Sequence, residues 1–169
     1  MVPGIIDIEA SGFGRGSYPI EVGLVLPDGE THCHIIRPDD SWTHWDKSAE
    51  AVHGIERDLL LQKGLAPMQV AGELNRLLAG RKIYTDAWSY DISWLGKLYD
   101  LCGLPQLYQL ESLRALMSEA QAALWHAVKE QVANELRLTR HRASTDALIL
   151  QKTFSRTLSI CCGATACNV

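Results

Sequence analysis

The sequence predicts an α/β fold, a mixed β-sheet flanked by helices, and two observations predict it. Short apolar segments of strand length alternate with segments whose apolar residues recur at helical spacing. The main elements follow the order βββ, α, β, α, β, α, α, which argues for a mixed sheet of five strands with helices packed against it. At 169 residues the chain has the length of one domain. We assign residues 1–158 to that domain and residues 159–169 to a poorly ordered C-terminal tail.

The first half of the chain contains three strands and two short helices. Residues 4–10 form an apolar strand, and residues 19–26 form a second. The turn sequence Pro-Asp-Gly at 27–29 sends the chain back, so that residues 30–37 become the hairpin partner. Residues 38–64 then form a loop, a short helix, a turn and another short helix.

Helices and strands alternate in the second half. Residues 67–78 carry an apolar stripe of helical period, and residues 81–85 form a strand. The remaining elements are a helix at 90–102, a short strand at 107–110, a long helix at about 111–136 and a last helix at 143–156. Residues 159–169 lack both a helical period and charge, which is typical of a poorly ordered terminus.

Composition and charge restrict the class of protein. Apolar residues make up 47% of the chain and charged residues 21%, as in a soluble globular domain. The net charge of −4 disfavours a tight, processive binder of duplex nucleic acid, because such binding depends on many cationic contacts to phosphates. No apolar run approaches the roughly 20 residues that span a membrane, so we expect no membrane partner. Five cysteines without a framework spacing, and no export signal, indicate reduced thiols and a cytoplasmic location.

Acidic residues in three separate segments carry the functional signal. Asp7 and Glu9 are one residue apart on the first strand, so both carboxylates point to one face. Carboxylates crowded on one face repel each other, and such a site normally needs cations. The alternative is an edge strand with two solvated acids.

The second and third segments each add a carboxylate at a helix start. Asp91 opens the helix that follows a strand, where an acid can also serve simply as a helix cap. Asp86 competes with Asp91 as the functional carboxylate, because it lies at the carboxyl end of the strand. His141 lies in the loop before the last helix, and Asp146 lies in or near the first turn of that helix.

Together these segments resemble the DEDDh exonucleases, the ribonuclease H-like family that includes polymerase proofreading subunits, oligoribonuclease and ribonuclease T. The family motif D-x-E is matched by Asp7 and Glu9, its second-motif Asp by Asp91, and H-x(4)-D by His141 and Asp146. The stretches P-I-E-V-G at 19–23 and A-V-H-G-I at 51–55 also match, so the resemblance covers roughly residues 4–155. It implies a ribonuclease H-like sheet of five strands.

The resemblance also implies a mechanism. Two Mg²⁺ or Mn²⁺ ions would be held by Asp7, Glu9, Asp91 and Asp146, and His141 would act as the general base. The expected reaction is stepwise 3′–5′ release of nucleoside 5′-monophosphates from nucleic-acid 3′ ends. DNA and RNA both stay open as substrates, with a preference for single-stranded or short ones, and a homodimer is left open.

Further residues are expected to contact the substrate, and Glu21 is expected near the metals. The expected substrate contacts are Ala10, Ser11, Gly12, Phe13, His53, Asp86 and Arg142. Phe13 either stacks on a base or anchors its loop, and His53 either faces the cleft or closes its turn. Trp88 is a second candidate for stacking, whereas Tyr90 and Trp94 are expected in the core.

The sequence departs from the family at two places. Ala10-Ser11-Gly12 replaces the usual Thr-Thr-Gly or Thr-Ser-Gly, and Ala87 replaces the usual Asn four residues before Asp91. A catalytically silent interaction module and a ribonuclease H-type endonuclease stay as alternatives. The intact set of five residues argues against the first, and the H-x(4)-D spacing argues against the second.

Overall fold

A five-stranded mixed sheet forms the centre of the molecule. The computed structural model describes residues 2–138 and 141–166. The strands are β1 (Ile5–Ala10), β2 (Pro19–Val25), β3 (Thr31–Ile35), β4 (Lys82–Thr85) and β5 (Gln109–Ser112). Their order in the sheet is β3-β2-β1-β4-β5; β1 pairs antiparallel with β2 and parallel with β4. The predicted α/β fold with five strands is confirmed.

Six helices and one 3-10 helix accompany the sheet. They are α1 (Lys47–His53), α2 (Arg57–Lys63), α3 (Pro67–Leu78), α4 (Trp88–Cys102), the 3-10 helix (Leu113–Leu116), α5 (Glu119–Leu136) and α6 (Ala143–Ala166). None of the helices in the described part of the chain is long and apolar enough to cross a membrane.

The side chains of β1 divide between two apolar cores. Ile6 and Ile8 belong to the core that includes residues of α3 and α4, whereas Ile5 packs with residues of α5 and α6. Because side chains alternate along a strand, Asp7 and Glu9 share the face of Ile5. The interior position of β1, between β2 and β4, excludes the alternative of an edge strand.

Several element boundaries differ from the sequence prediction. Helix α4 begins at Trp88, and β5 covers Gln109–Ser112. Residues 111–118 are not helical throughout, because the chain leaves the 3-10 helix and Ser118 starts α5 anew with a capping box to Gln121. Such a side-chain cap depends on local geometry that apolar periodicity does not report.

The C-terminal helix is longer than the predicted 143–156. Helix α6 continues to Ala166, so most of the segment predicted as a poorly ordered tail is helical, and 167–169 lie outside the described residues. Hydroxyl groups bond back to preceding carbonyls here, as between Ser159 and Ser155 (3.0 Å). Because α6 is already formed by its packing on the sheet, further residues can extend it without an amphipathic pattern, each adding a backbone hydrogen bond. The division into a domain of 1–158 and a tail stays a prediction.

Candidate active site

A cavity of about 580 Å³ opens beside the end of β1. It is lined by side chains from β1, the loop after it, α1, the start of α4, α5 and the start of α6. All five residues predicted to be catalytic line this cavity: Asp7, Glu9, Asp91, His141 and Asp146. The fold thus gathers three segments that are far apart in the sequence.

Asp91 and Asp86 both line the cavity but in different surroundings. Asp91 is almost fully buried, and its carboxylate accepts a short hydrogen bond from the Thr85 hydroxyl. Asp91 makes no cap bond to the helix start, because the capping position is Ala87. The exposed Asp86 forms an ion pair with Lys129 of α5 at 2.9 Å. The more enclosed carboxylate of the two is therefore Asp91.

His141 and Asp146 are joined to Glu9 in one cluster. The backbone N–H of His141 donates to Asp146 Oδ2 at 2.7 Å, and His141 has a left-handed φ of 60°. One ligand atom each from Glu9, His141 and Asp146 lies within 4.8 Å of the others. A single cation could contact all three residues.

Glu21 holds the segment that follows His141. This fully buried carboxylate lies opposite Glu9 in the β1–β2 pairing. It accepts two hydrogen bonds at Oε1 and Oε2 from Arg142 Nε, a third from Arg142 Nη2 (2.6 Å), and one from the backbone N–H of Ala143 (2.8 Å). The Arg142 guanidinium therefore points to β2, and Arg142 is not among the residues that line the cavity.

Burial, and after it the charges of neighbouring acids, raises the pKa of three carboxylates in the cavity. Burial, followed by the charges of Asp91 and Glu9, raises the pKa of Asp7 well above its usual range. Burial and the charge of Asp146 raise the pKa of Glu9 to about 7. For Asp91, burial raises the pKa to about 7, against the opposing hydrogen bond from Thr85. These groups are poorly compensated, and a bound cation would stabilise their charged forms.

Five of the seven predicted substrate contacts line the cavity, and two do not. Ala10, Gly12, Phe13, His53 and Asp86 line it; Ser11 and Arg142 do not. The buried Ser11 hydroxyl instead accepts from the Tyr18 N–H and bonds His44 Nδ1, both at 3.1 Å. Ser11 therefore fixes the loop that carries Gly12 and Phe13.

Aromatic side chains form one wall of the cavity. Phe13 is 66% exposed, and its ring centroid lies 5.3 Å from that of Tyr90 and 6.1 Å from that of Trp94. Tyr90 is 52% exposed, so the expectation that it lies in the core is wrong; Trp94 is buried as expected. Trp88 donates from Nε1 to the Leu110 carbonyl and does not line the cavity.

His53 serves both roles that the sequence left open. Its Nδ1 accepts the Ile55 N–H at 3.0 Å and so closes the turn after α1, while the residue also lines the cavity. Burial lowers the pKa of His53, which favours the neutral ring. With Nδ1 accepting, Nε2 carries the hydrogen, and this buried atom bonds to none of the described residues. Because Nε2 is closed off from solvent, His53 forms part of the cavity wall and does not present an exposed donor.

Most of the α1 wall and one cation were not predicted from the sequence. Ser48, Ala49, Val52 and His53 line the cavity from one face of α1. Of these, only His53 was expected to contact the substrate, although the A-V-H-G-I match at 51–55 also includes Val52. Lys129 also lines the cavity, but nothing near it in the sequence indicates this position.

Comparison with known proteins identifies the fold. No family model matches the chain, and no curated protein matches it. Among solved structures, E. coli exonuclease I in complex with a dA16 oligonucleotide aligns with a TM-score of 0.67 at 13% identity, over 88% of this chain and 39% of that one. The fold is ribonuclease H-like.

Two further structures of the same kind agree. The zinc-bound form of an E. coli exonuclease I–ssDNA complex aligns with a TM-score of 0.67 at 13% identity, over 92% of this chain and 39% of that one. Exonuclease I in its apo form aligns with a TM-score of 0.66 at 11% identity, over 90% of this chain and 41% of that one. The chain thus spans about two fifths of the length of these proteins.

Proposed function

We propose that this protein is a metal-dependent 3′–5′ exonuclease that releases nucleoside 5′-monophosphates from single-stranded or short nucleic acids. The observation that carries the proposal is the convergence of Asp7, Glu9, Asp91, Asp146 and His141 on one cavity. The similarity of the fold to exonuclease I bound to oligonucleotides supports it.

The residues fit a pair of hard divalent cations. Carboxylate oxygens are the ligands that Mg²⁺ and Mn²⁺ prefer, and the raised pKa values of Asp7, Glu9 and Asp91 show uncompensated acidic groups. Asp7, Glu9, Asp91 and Asp146 would hold the ions. When bound, such ions acidify the attacking water and neutralise charge on the leaving 3′-oxygen.

The protein's own residues supply the proton transfer and the binding. His141 takes the proton of the attacking water at its imidazole, the side-chain group that most often serves as a general base. Phe13 and Tyr90 offer exposed aromatic faces to the terminal base. His53 and Gly12 line the space for the terminal nucleotide, and Gly12 must be a glycine because an added Cβ atom would lie 2.6 Å from the Cβ atom of Asp46.

The proposal is tested with 5′-labelled DNA and RNA strands of matched sequence, incubated with Mg²⁺ and resolved by length. We expect a ladder of products shortened from the 3′ end. Asp7→Ala and His141→Ala should each lower the rate by at least about 10²-fold, because they remove a metal ligand and the general base. Circular dichroism checks folding, and Asp40→Asn, at an exposed acid that does not line the cavity, is the control.

Other outcomes would identify the alternatives. Full activity in either variant would contradict the assignment. Cuts in a circular strand would indicate an endonuclease. An absence of Mg²⁺ or Mn²⁺ binding in calorimetry, together with an absence of trimming, would indicate a silent interaction module.

A further inference from the structure

A second groove adjoins the active-site cavity. It has a volume of about 320 Å³, lies between the 3-10 helix and α5, and shares Asp86 with the larger cavity. Leu113, Met117, Ala122 and Trp125 give it an apolar lining, and Arg114 and His126 are its basic side chains. Its size is at the lower end of the roughly 300–1,000 Å³ typical of small-ligand sites.

Lys129 lies on the boundary between the two spaces. It is the only lysine or arginine among the described residues that line the active-site cavity, and its partner Asp86 lines both spaces. Lys129 follows His126 by three residues on α5, which places both on one side of the helix. A row of basic groups therefore leads from the cavity along the groove to Arg114.

The cations in this row are available to a phosphate. The side chains of Lys129 and Asp86 are 27% and 33% exposed, and those of Arg114 and its partner Glu119 are 51% and 92% exposed. Ion pairs with such access to solvent contribute little to stability. A phosphate can therefore replace either carboxylate at small cost.

We propose that this groove is the subsite for the nucleotide on the 5′ side of the scissile bond, with Lys129 binding the phosphodiester backbone where the strand leaves the cavity. The proposal rests on the proposed function and extends it to the path of the substrate. The apolar lining matches the base, and the basic row matches the phosphates. A strand that continues through the groove must be unpaired there, which makes a single strand the preferred substrate.

Two variants test the subsite on a 5′-fluorescein-labelled ten-residue strand with Mg²⁺. Lys129→Ala should raise KM and make the slope of log(kcat/KM) against log salt less steep by about 0.7, the value for one lost single-strand phosphate contact. Ala122→Phe should fill the groove and raise KM about tenfold, the effect of losing one stacked base. Lys82→Ala and Ala123→Phe are the matched controls, because neither residue lines the cavity or the groove.

A third measurement needs no variant. A strand with an abasic residue next to its 3′-terminal nucleotide should raise KM for the wild type but not further for Ala122→Phe. If the wild type trims the strand while both groove variants and the abasic strand behave as the controls do, the subsite is overturned and the exonuclease stands. If the wild type neither binds nor trims any strand, both proposals fall.

Discussion

At the scale of the residue, the geometry of the site depends on Glu21 and Arg142. Glu21 is fully buried on β2, yet its carboxylate reaches the segment between His141 and Asp146 through Arg142 and the Ala143 N–H. We expect Glu21 to be a positioning residue that fixes the cluster of Glu9, His141 and Asp146. Arg142, which the sequence placed among the substrate contacts, shares that role.

Glu21→Gln tests this role. The amide keeps the shape of the side chain but loses the charge that holds Arg142, so we expect kcat to fall about 10–100-fold with little change in KM. Kinetics on a labelled strand at saturating Mg²⁺ measures both constants. Glu135→Gln, which breaks the exposed pair with Arg156, is the control and should leave both unchanged. Equal behaviour of the two variants would show that Glu21 does not position the site.

At the scale of the element, the approach of α6 to the sheet brings Asp146 to β1. Helix α6 packs against β1 and β2, and a Cβ atom at Gly23 would lie 2.0 Å from the backbone nitrogen of Ser144. Gly23 and Glu21 lie on one face of β2, so one residue admits the helix start and the other binds it. This explains the P-I-E-V-G stretch in terms of packing.

Gly23→Ala should therefore be strongly destabilising, since backbone atoms of α6 cannot yield to the added methyl group as a flexible side chain would. We expect a lower Tm and a lower rate of trimming, measured by thermal unfolding and by product ladders. Gly72→Ala is the matched control, because a Cβ there meets nothing within 4 Å and the position is in helix α3. It should stabilise the protein by about 0.5–1 kcal/mol. An unchanged Tm in Gly23→Ala would contradict the close packing.

At the scale of the whole molecule, the cluster of acids links stability to pH and metal. Glu9 and Asp91 have pKa values of about 7 in the folded protein, above the 4.5 and 3.8 of the free side chains. The folded state thus binds more protons than the unfolded state between these values. The contribution of Glu9 and Asp91 to the free energy of unfolding is therefore complete below about pH 4 and is lost as the pH rises to about 7.

We expect the Tm of the metal-free protein to fall as the pH rises from about 5 to about 7, and saturating Mg²⁺ to raise it more at pH 8 than at pH 5. Thermal unfolding in EDTA and in Mg²⁺ measures both effects. In EDTA, the double variant Glu9→Gln, Asp91→Asn should be less sensitive to pH than the wild type. The buried His53, whose pKa is lowered, contributes the opposite slope below about pH 6.5 but is common to both proteins. If the Tm of the wild type and that of the double variant changed in parallel with pH, the raised pKa values could not belong to Glu9 and Asp91.

The sequence by itself determined the order of the main elements and the residues that converge. Alternation along a strand places Asp7 and Glu9 on one face, and a helical stripe gives α3 its bounds, because both patterns are local. The resemblance to the exonuclease motifs then selected Asp91, His141 and Asp146, all of which line the cavity.

Only the tertiary structure decided which partner each polar group takes. It separated the buried Asp91 from the exposed Asp86, directed Arg142 to Glu21 and brought Lys129 to the cavity. Glu21 and Arg142 are 121 residues apart in the chain, so no local pattern reports their contact. Hydrogen bonds and charge interactions depend on distances of a few ångströms, and packing between distant segments sets those distances.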